Sequence, residues 1–586
     1  MQIVNICLVR ERQIVKMKVS DYIAEYLSQI GVRTVFGYTG GNITCIIDSI
    51  ARTDNIDFVQ NYHEQASAFS ANSYAKITHN IGVAIASSGP GAINLISGIA
   101  NAYYDSLPCL FITGNVNSAT LNKNYNVRQS AFQENDIIQM VKGVTKLCVK
   151  IDNPNEIPFY LEKAVYFAMN GRKGPVLLDI PHNIQYAEFE IADTPHFVPN
   201  KSVKHYDFDV NNCLTLIEKA KAPLILVGGG ADTPQSRLLL RRLLSLYKIP
   251  VVASLCGLGV LAHNHECFIG FIGAYGNRYA NLALHYCDLL FVLGSRIDER
   301  QIGGKENKFA PNADILHIDI DKNELNNSIK RETGINCTVE AFLEGLLAKP
   351  CNVPIEYKEW LNTLLKWKNR FSVNIDEYSA NSFLKYISNT SDSSIVCVDV
   401  GNHQMCAAQS YSLNCDDSEI INSGGHGAMG FALPAAIGAY YAFNKAKIIC
   451  ISGDGGFQMN LQELQTIKRD KLPIKIVIIN NKSLGMIEAY QQKTFSGRLY
   501  ASVEGYDAPD FKKIAESFDI KYLKIEKPSD YSAAKKAIFQ SPDSIIVEFV
   551  GEVGMRTNPI PGGSIIEQLP QLSKEELFQI EREVNK

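Results

Sequence analysis

Short, almost purely apolar runs alternate with helix-length segments three times along this chain, and that alternation decides most of what it can fold into. The first series runs from about Val19 to Ile191 and contains RTVFGYTGG, IGVAIASSGP, LPCLFITGNV and GPVLLDIP. The second begins at KAPLILVGGGAD and continues through IPVVASLCGLG, CDLLFVLGSR and ADILHIDIDK to about Leu347. The third holds SSIVCVDVG, EIINSGG, AKIICISGDGG, IKIVIINN and SIIVEFVG. Such runs suit strands buried on both faces, as in a parallel sheet covered by helices. The expected fold class is α/β, with three doubly wound domains and mostly parallel sheets. Residues 17–191, 208–348 and 372–555 are the expected domains. An appendage at 1–16 precedes them, and a Pro/Gly-rich tail at 556–586 is expected to wrap over another surface.

Bulk properties narrow the function classes. A chain of 586 residues exceeds what one core serves. Net charge is −4, with both signs mixed, so no basic footprint for nucleic acid or an anionic membrane is present. No apolar run approaches the roughly 18 residues of a membrane span, and the N-terminus reads neither as a signal peptide nor as a transit peptide. The fourteen cysteines are scattered without a C-x-x-C pair, and several, including Cys397 and Cys450, sit in apolar runs. Reduced, buried thiols in a cytoplasmic protein are the expectation.

The chemistry concentrates in GDGGFQMNLQELQTIKRDKLPIKIVIINNKSLGM, residues 453–486. Parallel sheets bind ligands at the carboxyl ends of their strands. IICIS delivers Gly453, Asp454 and Gly455 to one such end, and IKIVIIN delivers Asn480 and Asn481 to the next. A carboxylate, an amide carbonyl and a main-chain carbonyl such as that of Ser483 suit Mg²⁺ or Ca²⁺ rather than zinc. Mg²⁺ usually shares its coordination with phosphates, and the surrounding glycines let backbone approach a phosphate closely. Elsewhere, NYHEQASAFSANSYAK places Glu64 between a strand and a small-residue helix. An acid there either favours a helix N-terminus or serves as a buried proton donor.

GDG followed by about 25 residues and NN resembles the thiamine-diphosphate motif. From Met17 to about Pro509 the chain is similar to the acetolactate synthase branch of the thiamine-diphosphate decarboxylase/carboligase superfamily. The resemblance implies thiamine-diphosphate-binding folds for the first domain (pyrimidine) and third domain (diphosphate), with a Rossmann-like middle domain. It implies that Glu64, in the family's H-E-Q-A setting, acts on the aminopyrimidine ring. SSGPGA matches a TSGPGA-type segment, and Gln133 in SAFQENDI implies a residue near the cofactor's reactive end. GNHQMCAAQ resembles GQHQMWAAQ, which gives Gly401, Asn402 and His403 to the diphosphate, with Asn402 in place of Gln. GGHGAMG supplies Gly427 and Met429, the latter as an apolar wedge beneath the cofactor. Gly453, Asp454, Gly455, Gly456, Asn481, Ser483, Leu484, Gly485 and Met486 complete the implied cofactor site. Asp454, Asn481 and Ser483 are its metal ligands. In the middle domain VGGGAD (Gly229, Gly230), GSRIDERQIGG (Gly294, Arg296, Asp298, Arg300) and HIDIDKNEL (Asp319, Asp321) resemble segments that hold a non-redox FAD. Arg300 matches a position reaching both flavin and substrate pocket.

The implied reaction decarboxylates pyruvate and passes its two-carbon unit to a carbonyl acceptor, a 2-keto acid in acetolactate synthases. Three departures bear on the acceptor. The lysine of DIPKD is His182, the M-H of GMHG is Ala274-Tyr275, and a tryptophan that shapes acceptor choice is Tyr490. GAYGNRYANLA and the stretch through GRLYASVEGYDAPDF resemble a subgroup of surface-polysaccharide enzymes of the yersiniose type, in which the acceptor is a nucleotide-linked keto-sugar. A flavin-redox pyruvate oxidase and a simple decarboxylase use the same parts. A non-catalytic paralogue is expected to lose Glu64 or Asp454, and both are present. The resemblance also implies a homodimer or homotetramer whose active site is shared between subunits.

Overall fold

The computed structural model describes residues 16–121, 127–199, 208–349, 356–443, 447–552, 558–559 and 565–584. The expected appendage lies outside them apart from Lys16, as does part of the tail. The chain divides into two compact units, Met1–Ser202 and Val203–Lys586. The first carries one six-stranded sheet and the second carries two. Every strand pairing inside these three sheets is parallel, so the α/β expectation holds. Among the described residues no helix is long and apolar enough to cross a membrane.

In the first unit the strands lie in the order Asp57–Gln60, Thr34–Gly37, Gly82–Ala86, Cys109–Asn115, Val176–Pro181, Leu147–Lys150. The helix Glu64–Thr78 covers this sheet, and its buried residues are mostly small. The reason is a close crossing: a Cβ on Gly98 of the helix Ile96–Tyr104 would stand 2.2 Å from the Ala68 Cβ. Asn72 uses the proximity to donate to the Gly98 carbonyl at 3.0 Å.

The second unit begins with the order Phe268–Phe271, Val251–Ala253, Pro223–Val227, Leu289–Leu293, Asp314–Asp319, Thr333–Asn336. In chain sequence this is 3-2-1-4-5-6, the dinucleotide-binding order, with its reversal between Pro223–Val227 and Leu289–Leu293. The helix Pro234–Tyr247 starts where sequence rules place it: Thr233 caps it through Ser236 N at 3.1 Å, and Pro234 occupies the first turn. The last sheet runs Glu419–Asn422, Ser394–Val398, Lys447–Gly453, Lys475–Asn480, Ile545–Val550, Lys521–Ile525. Its reversal lies between Ser394–Val398 and Lys447–Gly453.

One apolar core runs through both sheets of this unit. A buried ion network also joins them: Arg237 Nε donates to Asp232 at 2.8 Å, and its Nη2 reaches Glu419 at 2.5 Å. The described part of the tail packs on the middle sheet's helices. Asn281 and Arg278 donate to the carbonyls of Ile565 and Pro570 at 3.0 and 2.5 Å. The helix Lys574–Val584 offers Glu583 to the Trp367 indole N–H at 2.7 Å.

Candidate active site

At the reversal of the last sheet, the turn after Ser394–Val398 meets the end of Lys447–Gly453. The His403 imidazole is wedged between two glycines. A Cβ on Gly401 would lie 2.7 Å from its Cε1, and one on Gly453 would lie 2.8 Å from its Nδ1. Burial pushes the imidazole pKa down to about 4, a hydrogen bond to the Asp399 main chain opposing this. His403 Nε2, Asn402 Oδ1 and Asn422 Nδ2 are buried without a hydrogen-bond partner. Buried polar atoms left unpaired are costly. Three at one set of strand ends fit a polar ligand that would satisfy them.

The next strand, Lys475–Asn480, ends in two asparagines that face different ways. Asn480 turns back into the sheet, donates to Glu548 Oε1 at 2.6 Å and accepts from Lys482 N at 3.1 Å. It thereby bends the loop at Lys482, where φ is +56°. Asn481 is turned the other way. One terminal atom of its side-chain amide stands 3.1 Å from Asp454 Oδ1 and 3.1 Å from the Ser483 carbonyl oxygen; the other is 2.9 Å from Ser483 Oγ. With oxygen in the first position, three acceptors face one another at about the 3 Å spacing of neighbouring ligands on an octahedral Mg²⁺ bound at roughly 2.1 Å. Without a cation, rotating the amide lets its N–H groups satisfy both oxygens. The donor set is hard oxygen with a single carboxylate. It fits Mg²⁺ or Ca²⁺, as the spacing of Asp454, Asn481 and Ser483 predicts.

Asp454 opens the short helix Asp454–Gln458 and is 2 % exposed. Burial pushes its pKa up to about 6, even though Tyr506 donates to Oδ2 at 2.9 Å. Gly455 lies beneath Leu484 and Met429: a Cβ there would meet Leu484 Cδ2 at 2.8 Å and Met429 Cε at 3.6 Å. A Cβ on Gly456 would stand 3.0 Å from Asp399 Cγ, and one on Gly485 would stand 2.4 Å from Asn402 Nδ2. Gly427 is exposed with φ +70°. Met486 is half-buried on the helix Gly485–Thr494, which also carries Tyr490, 59 % exposed and edge-on to Phe495 at 5.8 Å. The sequence-predicted diphosphate residues therefore come together. Asn422 and Tyr506 join them without having been expected. Neither belongs to a spaced motif, and only the strand-end position of Asn422 could have pointed to it.

In the first unit Glu64 is half-buried, and its Oε2 accepts from Asn94 Nδ2 at 3.0 Å. Its Oε1 borders Gly91, where a Cβ would stand at 3.1 Å. His63 caps the helix through Gln65 N at 3.1 Å, so Glu64 is not the capping residue. Gln133 has a φ of +63° and packs on Gly89, whose Cβ would meet the Gln133 carbonyl at 3.0 Å. A non-glycine residue held there stores strain, a pattern that clusters at functional sites.

In the middle sheet, Gly228–Gly230 and Gly294–Arg296 flank the reversal. A Cβ on Gly228 would stand 2.2 Å from the Gly294 carbonyl, and Gly294 itself has φ +59°. Gly229 and Gly230 are exposed at the strand end. Arg296 pairs with Asp298 at 3.6 Å, and Asp298 caps the helix Glu299–Ile302, which carries Arg300. Arg300 is exposed, and its charge lies close enough to Tyr275 to favour the ionised phenol, although burial dominates and raises that pKa. Asp319 is buried at its strand's end and accepts from Asp321 N at 2.8 Å.

Known proteins match the chain in the same three parts. Residues 17–140 match the thiamine pyrophosphate enzyme N-terminal TPP binding domain, 210–346 the central domain, and 399–549 the C-terminal TPP binding domain. The acetolactate synthase large subunit of Lactococcus lactis is 35 % identical, with 93 % of this chain and 94 % of the relative covered. The acetolactate synthase isozyme 2 large subunit of Escherichia coli is 35 % identical over 95 % of this chain and 100 % of the relative. That of Cyanidium caldarium is 34 % identical over 91 % and 93 %. The chain belongs to the thiamine pyrophosphate enzymes, in the family of acetolactate synthase large subunits.

Proposed function

We propose that this chain is a thiamine-diphosphate-dependent carboligase of acetolactate synthase type. Pyruvate is its donor, and a 2-keto acid is its acceptor. The observation that carries this reading is the cluster of Asp454, Asn481 and Ser483 oxygens beside the partnerless His403 Nε2 and Asn422 Nδ2. Those groups suit a Mg²⁺-bound diphosphate. Bound thiamine diphosphate supplies a carbon nucleophile for the keto carbon and a cationic ring that accepts the electrons released with CO2.

The chain's own residues do the rest. Asp454, Asn481 and the Ser483 carbonyl would hold the metal. His403 and the Asn402 amide N–H would face phosphate oxygens, and an anion at Nε2 would favour the protonated ring and so a donated hydrogen bond. Met429 and Leu484 form the apolar seat. Glu64 would hold a proton towards the aminopyrimidine ring, with Oε2 fixed by Asn94. The resemblance gives Gln133, Arg300 and Tyr490 roles towards the substrate. The resemblance further supports a non-redox FAD at the middle sheet's reversal, a cytoplasmic homodimer or homotetramer, and a site to which one subunit brings Glu64 and another the diphosphate residues.

A second reading has a nucleotide-linked keto-sugar as acceptor. The exposed Tyr490 and the replacements His182 and Tyr275 favour it, because they remove a lysine and alter the aromatic wall. The test is incubation with pyruvate, alone and with nucleotide-linked keto-sugars, followed by mass detection. Acetolactate from pyruvate alone supports the keto-acid acceptor. A sugar extended by two carbons, without acetolactate, replaces it with the second reading.

A further inference from the structure

Asp454 has two oxygens, and only one faces the ligand cluster. Oδ1 stands 3.1 Å from the Asn481 amide, whereas Oδ2 accepts the Tyr506 hydroxyl at 2.9 Å. A carboxylate's terminal torsion is broad and two-fold, so nothing intrinsic to aspartate selects this pose. The Tyr506 oxygen is itself held: Gln458 hydrogen-bonds it and donates to the Asp454 main-chain oxygen at 3.1 Å.

Tyr506 also closes a strap. Residues 499–506 pass over the metal loop, Leu484 N donates to the Ser502 carbonyl at 3.0 Å, and Gln491 donates to the Tyr500 carbonyl at 2.8 Å. Tyr506 N donates to the Val503 carbonyl at 3.2 Å, which turns the ring inward. The phenol thus reaches Asp454 from a segment fixed on the loop that carries Asn481 and Ser483.

We propose that Tyr506 is a positioning residue for the metal: its hydroxyl locks Oδ2 of Asp454, so that Oδ1 is presented with Asn481 and Ser483 as a preformed half-shell. This rests on the metal-diphosphate reading above. Groups that orient a metal ligand typically contribute 10- to 100-fold in metal affinity.

The test is a Mn²⁺ titration followed by electron paramagnetic resonance, on full-length protein freed of cofactor and saturated with thiamine diphosphate. Wild type, Tyr506→Phe and Asp454→Ala are compared, with melting temperatures of the cofactor-free forms. The expected result is about a tenfold or greater rise in the Mn²⁺ Kd for Y506F, a broadened bound signal and an unchanged melting temperature. Wild-type Mn²⁺ affinity in Y506F, with binding lost in D454A, overturns the role of Tyr506 alone. A lowered melting temperature with unchanged Mn²⁺ affinity also overturns it, since that is a packing role. Wild-type binding in D454A overturns the metal site itself. If Y506F does not fold, Gln458→Leu carries the test: a smaller Kd rise in the same direction supports the proposal, and no rise contradicts it.

Discussion

Glu64 shows how context assigns a residue its part. His63 already caps the helix, Asn94 fixes one carboxylate oxygen, and Gly91 leaves room beside the other. Glu64→Gln keeps the size and the Asn94 contact while removing the transferable proton. It is expected to retain fold and bound cofactor and to lose about 10²- to 10⁴-fold in kcat, read from pyruvate turnover beside a cofactor-content measurement. Asp179 is a second acid with a consequence. It is buried, accepts from Thr113 Oγ1 at 2.7 Å and from Asn115 Nδ2 at 2.8 Å, and burial still pushes its pKa up to about 7. A folded-state value raised above the usual 3.8 means stability that is full below pH 4 and lost as pH rises through about 7. Asp179→Asn should remove about 2–3 kcal/mol of stability change between pH 5 and pH 8, measured by chemical unfolding at both. An equal pH slope in both proteins would contradict the assignment.

At the scale of elements, the glycine turns set how closely strands' ends can meet. Gly228→Ala would drive a Cβ to 2.2 Å from the Gly294 carbonyl, a backbone atom that cannot yield. The expected outcome is a loss of about 3 kcal/mol or more and, on the proposal that FAD sits at this turn, loss of flavin absorbance after purification. Retained absorbance and stability would argue against that turn as the flavin's seat. Central strands were legible because burial on both faces leaves continuous apolar runs such as LLFVL of Leu289–Leu293. Two edge strands were not: Lys521–Ile525 mixes two lysines into five residues, and Thr333–Asn336 is half polar. The residues proposed for the diphosphate were picked out by motif spacing, which places them on neighbouring strand ends. Tyr506 lies 52 positions from Asp454, and Asn422 lies 31 positions before Gly453. Only folding brings such residues together, and no local pattern announces them.

At the scale of the whole molecule, the proposed site draws Glu64 from one subunit and Asp454 from another. Mixing E64Q and D454N chains tests this by arithmetic. A heterodimer then has one site with both changes and one with neither. Random pairing of equal amounts should restore about a quarter of wild-type turnover from two nearly inactive parents. No restoration after verified subunit exchange would place both residues in the same chain's site. The buried network of Arg237, Asp232 and Glu419 joins the middle sheet to the last one within a single unit.

Whether this chain activates thiamine diphosphate to cleave pyruvate is read most directly from labelled CO2 release from [1-13C]pyruvate. With thiamine diphosphate and Mg²⁺ present, release is expected, and it should stop when either is withheld. An enzyme that contains both and releases no labelled CO2 would contradict that reading.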